Sequence, residues 1–287
     1  MATADDQASR FQALRGQGPV LAVDDVAREA ERMAREGPGP ERIAELAGAR
    51  PQLRIDGLRA GYGKMEILHD VNLQVAPGQS LCLIGPNGAG KSTILHSIYG
   101  FTRITGGSIR LGDLDVTRLS PNQKLKEAGI AYVLQDNSVF PDMSVEENLW
   151  MGGFLMDGLD QAKEAAERVF AKYDRLAARR YQAARVLSGG ERRLLEISRA
   201  LVMEPKVLLV DEPSIGLEPR YIDMVFEILG DLQSSEGKSI IMVEQNAKKG
   251  LEFADVGYVL VSGALAMADT GDNLLRHPDV GRLFLGG

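Results

Sequence analysis

The sequence is poor in the features that characterise several classes of protein. Its single cysteine, Cys82, cannot form a disulfide within the chain. Its 33 Lys and Arg are outnumbered by 40 Asp and Glu, and the net charge of −7 argues against a nucleic-acid partner held by broad electrostatic attraction. No apolar run approaches the roughly 20 residues that span a bilayer, and residues 1–16 lack the apolar core of a secretion signal. We therefore expect a cytosolic protein that does not bind nucleic acid.

Residues 1–50 differ in composition from the rest of the chain. They are rich in Ala, Arg, Glu, Gly and Pro and contain few large apolar residues. The pattern over residues 23–35 predicts one short helix, and the Gly and Pro residues at 37–40 end it. We expect an N-terminal extension over residues 1–50, which is a tail, a short helix on the surface or a docking arm. One domain should follow over residues 51–287.

Strand and helix patterns alternate from residue 51 onward. The predicted strands cover residues 53–58, 71–75, 80–84, 109–111, 130–134, 207–210, 239–243 and 258–261. The predicted helices cover residues 91–99, 145–151, 160–173 and 191–203, and Ser144 with Glu147 forms a capping box for the second of these. This alternation predicts an α/β sheet, into which a helix-rich segment over about residues 136–187 is inserted.

A phosphate-binding loop follows the predicted strand at 80–84. It fits the pattern G-x-x-x-x-G-K-S and consists of Gly85, Pro86, Asn87, Gly88, Ala89, Gly90, Lys91 and Ser92. Its glycines let backbone N–H groups turn toward phosphates, and the N-terminus of the next helix adds positive potential. We expect Lys91 to reach the β- and γ-phosphates, the Ser92 hydroxyl to bind Mg²⁺, and Thr93 to help hold the phosphates.

Two carboxylates end the apolar strand at 207–210. Asp211 and Glu212 follow four apolar residues, and a carboxylate in such a place is costly to bury without a cation or a hydrogen-bond donor. Mg²⁺ beside Asp211 would supply that partner. Glu212 lies one residue further along and is predicted to face the γ-phosphate, where it would polarise the attacking water.

A third element, Leu187–Glu191, lies between the phosphate loop and the two carboxylates. Ser188 is predicted to cap the helix at 191–203. Gly189 and Gly190 leave the N-terminus of that helix bare, so that backbone N–H groups can meet a phosphate. Each element is common alone, but all three in this order are very unlikely to occur by chance.

Residues from about 53 to 287 resemble the nucleotide-binding subunit of an ABC transporter. The residues that carry this resemblance, in the family's order and spacing, are Lys91, Gln135, Leu187–Glu191, Asp211–Glu212 and Pro213–Leu217. The resemblance implies the P-loop NTPase fold of ABC ATPases, with a RecA-like core sheet, an antiparallel β subdomain and an inserted helical subdomain. It also implies ATP and Mg²⁺ as cofactors, and ATP hydrolysis coupled to transport.

The resemblance also implies roles for single residues. Tyr62 would stack on adenine, and Gln135 would touch both Mg²⁺ and the attacking water. Glu212 would be the main catalytic carboxylate. Gln245 stands where most of the family has a histidine, and it would position the γ-phosphate without carrying a positive charge. The expected metal ligands are Ser92, Gln135 and Asp211.

In this family two modules face each other head to tail. Ser188, Gly189 and Gly190 would therefore close over the ATP of a second ATPase subunit and not over the ATP on Lys91 of the same chain. The second subunit is expected to be a different chain, and a homodimer is the alternative. Two membrane permease subunits would bind the helical segment at the cytoplasmic face of the bacterial inner membrane, and a periplasmic substrate-binding protein would act indirectly.

A finer resemblance points to one branch of the family. The segments that carry it are residues 151–154, 211–219, 243–247, 269–272 and 284–287. They are similar to the ATPase subunits of branched-chain amino acid importers, and of related importers for urea, amides or other organic acids. A soluble non-transport ABC ATPase and a nucleotide-dependent scaffold are alternatives of other classes. The first normally has long coiled coils between the two nucleotide motifs, and the roughly 120 residues between Lys91 and Asp211 contain no such heptads.

Overall fold

The computed structural model of the chain describes residue 32, residues 37–135 and residues 138–284. The helix predicted at 23–35 therefore lies outside the described residues, except for Arg32, and so do residues 285–287. The strands are β1 (Leu53–Tyr62), β2 (Met65–Val75), β3 (Ser80–Ile84), β4 (Arg103–Leu111), β5 (Leu114–Asp115), β6 (Ile130–Val133), β7 (Val207–Asp211), β8 (Ser239–Val243), β9 (Val256–Val261) and β10 (Ala264–Thr270). The helices are α1 (Pro40–Ala47), α2 (Lys91–Tyr99), α3 (Pro121–Lys126), α4 (Val145–Gly152), α5 (Leu159–Lys172), α6 (Asp174–Ala177), α7 (Gly189–Leu201), α8 (Pro219–Ser234), α9 (Ala247–Phe253), α10 (Gly271–Arg276) and α11 (Pro278–Phe284), with a 3₁₀ turn at Ala184–Val186.

A six-stranded sheet lies at the centre of the described structure. Its strand order is β10-β9-β3-β8-β7-β6, in which β10 pairs antiparallel with β9 and the other pairs are parallel. Every residue of β3, β7, β8 and β9 is buried, as expected for continuous apolar strands in a parallel sheet. The predicted α/β sheet is therefore confirmed, although the sequence patterns indicated neither β10 nor most of β4.

A second, four-stranded sheet packs against α2. Its order is β2-β1-β4-β5, and all its pairs are antiparallel. Leu53 and Ile55 of β1 join one apolar cluster with Ile94 of α2 and Leu83 of β3. Helix α2, which follows the phosphate loop, is therefore packed between the two sheets.

The parallel strands place the predicted site residues at one edge of the central sheet. Val133 pairs with Val210, Asp211 pairs with Val243, and Leu83 also pairs with Val243. The segments that follow β3, β6, β7 and β8 therefore begin side by side, because parallel strands end at a common edge. These segments carry the phosphate loop, Gln135, Glu212 and Gln245.

The helix-rich segment between β6 and α7 has its own core. Apolar residues of α4, α5 and α6 pack there against Leu194 and Leu195 of α7. The capping box of α4 is confirmed, since Glu147 N–H donates to Ser144 Oγ at 3.2 Å and Ser144 N–H donates to a Glu147 carboxylate oxygen at 2.7 Å. Helix α7 begins at Gly189 and ends at Leu201, two residues earlier at each end than predicted. None of the helices in residues 37–135 and 138–284 combines the length and the hydropathy that crossing a bilayer requires.

Helix α1 was not predicted, because the Gly and Pro residues at 37–40 were interpreted only as a break. Pro40 instead stands at the first helical turn, where its missing N–H is tolerated. Ile43 and Ala47 are buried, and Arg42 forms a 2.6 Å ion pair with Asp269 of β10. The carbonyl oxygen of Leu46 accepts a hydrogen bond from Gln79, the residue before β3. The boundary at residue 50 stays a prediction, while α1 itself is attached to the folded domain.

Candidate functional site

The phosphate loop joins β3 to α2 and is confined by close contacts. Gly85 has φ = +144°, and a Cβ atom there would lie 2.1 Å from the carbonyl oxygen of Leu260. Only glycine fits this position without a shift of the backbone. Lys91 is 7% exposed, and its Nζ donates hydrogen bonds to the carbonyl oxygens of Gly85 at 2.8 Å and Pro86 at 3.0 Å.

Lys91 holds its ammonium group in a buried position. Burial lowers its pKa below the ordinary value, while the negative charges of Glu212 and Asp211 oppose that shift. Neutral carbonyl oxygens are weaker partners for an ammonium group than an anion is. A phosphate in the loop would supply the anion and raise the pKa of Lys91, so the loop suits a polyphosphate ligand.

Asp211 ends β7 with both of its carboxylate oxygens in hydrogen bonds. Ser92 Oγ donates to Oδ1 at 3.1 Å, and Tyr132 Oη donates to Oδ2 at 2.8 Å. Burial and the charge of Asp211 raise the pKa of Tyr132, so its hydroxyl stays protonated and remains a donor. Tyr132 lies within β6, and no sequence pattern indicated this contact.

The donor set around Asp211 fits a divalent cation. Ser92, Asp211 and Gln135 offer hydroxyl, carboxylate and amide oxygens, which are the hard ligands that Mg²⁺ prefers. Within the described part of the chain, no three His, Cys, Asp or Glu residues are grouped so as to hold a metal ion. Mg²⁺ in nucleotide sites takes its remaining ligands from phosphate oxygens and water, and the same would hold for a cation at this place.

Gln135 and Glu212 contact each other across two strand ends. Gln135 Nε2 donates to Glu212 Oε2 at 3.0 Å. Glu212 has φ = +43°, in the left-handed region that residues other than glycine seldom adopt. Its N–H donates to the carbonyl oxygen of Val243 at 2.9 Å, which ties this strained residue to β8. Backbone strain of this kind is concentrated at functional sites.

A cleft of about 470 Å³ opens at this edge of the sheet. Its lining residues are Ile67, Asn87, Gly88, Gly90, Lys91, Ser92, Thr93, Gln135, Glu212, Ile215 and Gln245. The structure therefore brings the phosphate loop together with three predicted residues, Gln135, Glu212 and Gln245, which follow β6, β7 and β8. Ile67 and Ile215 were missed, because an isolated apolar residue carries no sequence signal of ligand contact. The predicted site residues that are not among the lining residues are Tyr62, Gly85, Pro86, Ala89, Ser188, Gly189, Gly190 and Asp211.

Gln245 follows β8 on a segment that is hydrogen-bonded to the loop after Glu212. Ser214 Oγ donates to Glu244 Oε1 at 2.8 Å, and the same oxygen accepts the N–H of Asn246 at 2.9 Å. Glu244 is itself buried. These bonds fix the backbone on both sides of Gln245. Sequence reasoning identified Gln245 but not the Ser214–Glu244 contact that holds it in place.

Tyr62 lies at the end of β1, outside the lining of the cleft. Its hydroxyl forms a hydrogen bond with His96 Nδ1, and the two rings meet edge to face with centroids 6.0 Å apart. Its side chain stays partly exposed, and burial of the remainder raises its pKa. The expected stacking of Tyr62 on a base therefore stays a prediction.

The N-terminus of α7 has the cap that was predicted from Ser188. Glu191 N–H donates to Ser188 Oγ at 3.3 Å, and Ser188 N–H donates to Glu191 Oε2 at 2.9 Å. The hydrogen bond from the Ser188 backbone lowers the pKa of Glu191. A Cβ atom on Gly190 would lie 2.1 Å from the ring of Tyr221. Gly190 is therefore required for the packing of α7 on α8, a reason that the sequence did not reveal.

The assembled groups suit the hydrolysis of a nucleoside triphosphate. Loop N–H groups and Lys91 can bind phosphates, Ser92 and Asp211 can hold a cation, and Glu212 faces the same cleft. Such a site accelerates phosphoryl transfer by positioning and charge neutralisation, without a covalent intermediate.

Comparisons with known proteins agree with this chemistry. The family model described as ABC transporter matches residues 68–215. The chain is 43% identical to the high-affinity branched-chain amino acid transport ATP-binding protein BraG of Pseudomonas aeruginosa, with 82% of this chain and 100% of that protein covered. It is 36% identical to the probable branched-chain amino acid transport ATP-binding protein LivF of Archaeoglobus fulgidus, with 82% and 98% covered.

Two solved structures share the fold. A nucleotide-free ATP-binding cassette from an ABC transporter matches with a TM-score of 0.73 at 28% identity, covering 83% of this chain and 100% of that chain. The ADP conformation of an ATP-binding cassette of an ABC transporter matches with a TM-score of 0.74 at 27% identity and the same coverage. These similarities confirm the fold that the sequence predicted.

Proposed function

Because the chain belongs to the ABC transporter family of ATP-binding proteins, we propose that it is the ATP-hydrolysing motor subunit of an importer for branched-chain amino acids. The observation that best supports ATP hydrolysis is the hydrogen bond between Gln135 and Glu212, since both residues line the phosphate cleft. The cargo class is supported by the relatives from P. aeruginosa and A. fulgidus, which are both named for branched-chain amino acid transport.

ATP binds at the phosphate loop. Backbone N–H groups of residues 87–93 surround the β- and γ-phosphates, and Lys91 exchanges its two carbonyl partners for phosphate oxygens. Tyr62 stacks on the adenine ring. Ser92, Asp211 and Gln135 would hold Mg²⁺, which would neutralise charge on the phosphates.

Hydrolysis depends on the residues that follow β6, β7 and β8. Glu212 polarises the attacking water, and Gln135 holds the Glu212 carboxylate in place by the 3.0 Å hydrogen bond. Gln245 positions the γ-phosphate through hydrogen bonds, since a glutamine side chain carries no charge.

The catalytic unit is a pair of ATPase subunits. In the head-to-tail arrangement of this family, Ser188, Gly189 and Gly190 bind the γ-phosphate of ATP held by the second subunit, and none of the three lines the cleft of this chain. The second subunit is a different chain of the same family. Loss of the γ-phosphate removes the contact that joins the two subunits.

The helical segment supplies the surface for two permease subunits. A second cleft, of about 290 Å³, is lined by residues of this segment and of the core, among them Tyr132, Phe140, Met151, Phe154 and Arg199. Phe154 is 76% exposed, and Phe140 and Met151 of the same cleft are 43% and 38% exposed, so that three large apolar side chains lie together at the surface. Cytoplasmic loops of the permeases would bind here, at the cytoplasmic face of the bacterial inner membrane. A periplasmic substrate-binding protein acts indirectly, through the permeases.

Transport assays with the complete complex test this proposal. The chain, a second ATPase subunit, two permeases and a binding protein would be reconstituted in lipid vesicles. We expect ATP-dependent uptake of leucine, and no uptake with Glu212→Gln. Uptake of urea or an amide without leucine would assign the chain to a related importer. ATP hydrolysis by a chain that never co-purifies with a permease would favour a soluble, non-transport ATPase.

A further inference from the structure

Arg193 lies inside α7 and belongs to none of the sequence motifs. Its side chain is 5% exposed. Nη1 donates to the carbonyl oxygen of Leu134 at 2.8 Å, and Nη2 donates to the carbonyl oxygen of Asp211 at 3.2 Å. Nη1 also donates to Glu196 Oε2 at 2.8 Å, and Glu196 is equally buried. One guanidinium group therefore joins α7 to the ends of β6 and β7.

Both carbonyl groups stand immediately before a residue of the proposed catalytic site. The Leu134 carbonyl belongs to the peptide bond with Gln135, and the Asp211 carbonyl belongs to the peptide bond with Glu212. Because a peptide group is planar, fixing its oxygen also orients its N–H and the Cα atom that follows. Arg193 therefore fixes the positions of the Cα atoms that carry the side chains of Gln135 and Glu212.

Stability alone does not explain why the ion pair between Arg193 and Glu196 is buried. An ion pair inside a protein loses its hydration, and apolar residues of similar volume often stabilise the fold as well or better. An arginine offers a planar fork of N–H donors that can reach two acceptors at fixed angles, which the single ammonium group of lysine cannot do. Glu196 supplies the negative charge that allows this cation to be buried.

We propose that Arg193 is a positioning residue for ATP hydrolysis, which holds the peptide groups before Gln135 and Glu212 at a fixed place against α7. This proposal rests on the proposed ATPase function. The proposal also connects the catalytic residues with the permeases, because Glu196, the partner of Arg193, lines the cleft that we assign to the permeases.

The double variant Arg193→Met/Glu196→Leu removes both charges and so leaves no unpaired ion. We expect kcat for ATP hydrolysis to fall about 100-fold, because misplacement of catalytic groups by about 1 Å has effects of that size. The KM for ATP should change less than about twofold, since the phosphate loop is untouched. Arg193→Lys keeps the positive charge but loses the planar set of N–H donors. Its kcat should lie between that of the wild type and that of the double variant.

A matched control is available on α11. Arg282 and Asp279 form an ion pair of the same spacing at 3.0 Å, with both side chains partly exposed. The variant Arg282→Met/Asp279→Leu should keep the wild-type kcat. All variants would be compared in the complete complex, and circular dichroism would verify that each is folded.

A folded double variant with wild-type kcat would overturn the proposal. So would a rise in KM as large as the fall in kcat, because the pair would then support the nucleotide cleft as a whole. Amide hydrogen exchange of the nucleotide-free chain gives a test that needs no hydrolysis. The N–H of Glu212 should exchange faster in the double variant than in the wild type, and unchanged exchange would contradict the proposal. An inactive wild-type complex would contradict only the ATPase function.

Discussion

Glu212 combines a left-handed backbone with a side chain that faces the phosphate cleft. The variant Glu212→Gln keeps the size of the side chain but removes its ability to accept a proton from water. We expect ATP hydrolysis to fall by about 10²- to 10⁴-fold, the usual contribution of a general base. Binding of ATP should persist. Turnover of the complete complex and binding of a fluorescent ATP analogue measure the two quantities.

The matched control for this prediction is Glu252→Gln. Glu252 lies on α9 with a partly exposed side chain, and its ion pair with Lys248 is long, at 4.0 Å. This variant should hydrolyse ATP at the wild-type rate. A Glu212→Gln complex that turns over ATP as fast as the Glu252→Gln complex would show that another group activates the water.

At the scale of elements, α3 places Lys124 against the last turn of α2. Lys124 is fully buried, and its Nζ donates to the carbonyl oxygen of Ser97 at 3.2 Å. Burial lowers its pKa to about 8, from an ordinary value of 10.5. Between these values the unfolded chain binds the proton more often than the folded protein does. The contribution of Lys124 to the free energy of unfolding therefore rises with pH in this window, by about 3 kcal/mol.

Replacement by Met tests the pH dependence at Lys124. Lys124→Met removes the ionisable group and keeps a long, apolar side chain. We expect the free energy of unfolding of the wild type, minus that of the variant, to increase as the pH rises from 7.5 to 10.5. Urea denaturation of both proteins at a series of pH values measures this difference. Lys126→Met, at an exposed position of the same helix, is the control. A difference that stays constant with pH would contradict the buried-charge explanation.

Among the residues of helix α1, Ile43 is the most deeply buried. It is 2% exposed and belongs to the apolar cluster that contains Val71 and Leu265. Ile43→Ala should lower the free energy of unfolding by roughly 2 kcal/mol or more, because it leaves a cavity. Glu41→Ala, on the exposed face of the same helix, should have little effect. Equal thermal stability of the two variants would show that α1 adds nothing to the fold.

At the scale of the whole molecule, the residues of α7 that would bind a phosphate lie outside the cleft of their own chain. Because we propose that the second subunit is a different chain, we predict that Glu212→Gln with ATP forms a stable dimer only when that second ATPase subunit is present. The substitution slows hydrolysis and so preserves the contact between subunits. Light scattering coupled to size exclusion measures the mass. A dimer of this chain alone would contradict the different-chain assignment and establish a homodimer.

Much of the fold and the site was accessible from sequence because its signals are local. The phosphate loop is eight consecutive residues, and the buried strands are uninterrupted apolar runs. Two kinds of feature were missed. Helix α1 begins with a Gly-Pro run that also fits a loop, and Tyr132 and Arg193 act through contacts with residues far away in the chain. A single residue inside a strand or helix pattern carries no sign of such a contact.

The sequence by itself determined the nucleotide chemistry, the α/β architecture and the family, because each follows from residue types at short, fixed spacings. Only the tertiary structure decided which other side chains and backbone groups contact the site residues. Parallel register brings Gln135 to Glu212, and the packing of α7 brings Arg193 to the carbonyl groups of Leu134 and Asp211. The physical reason is that these hydrogen bonds depend on how whole elements pack, and packing is the sum of many weak contacts that no short pattern encodes.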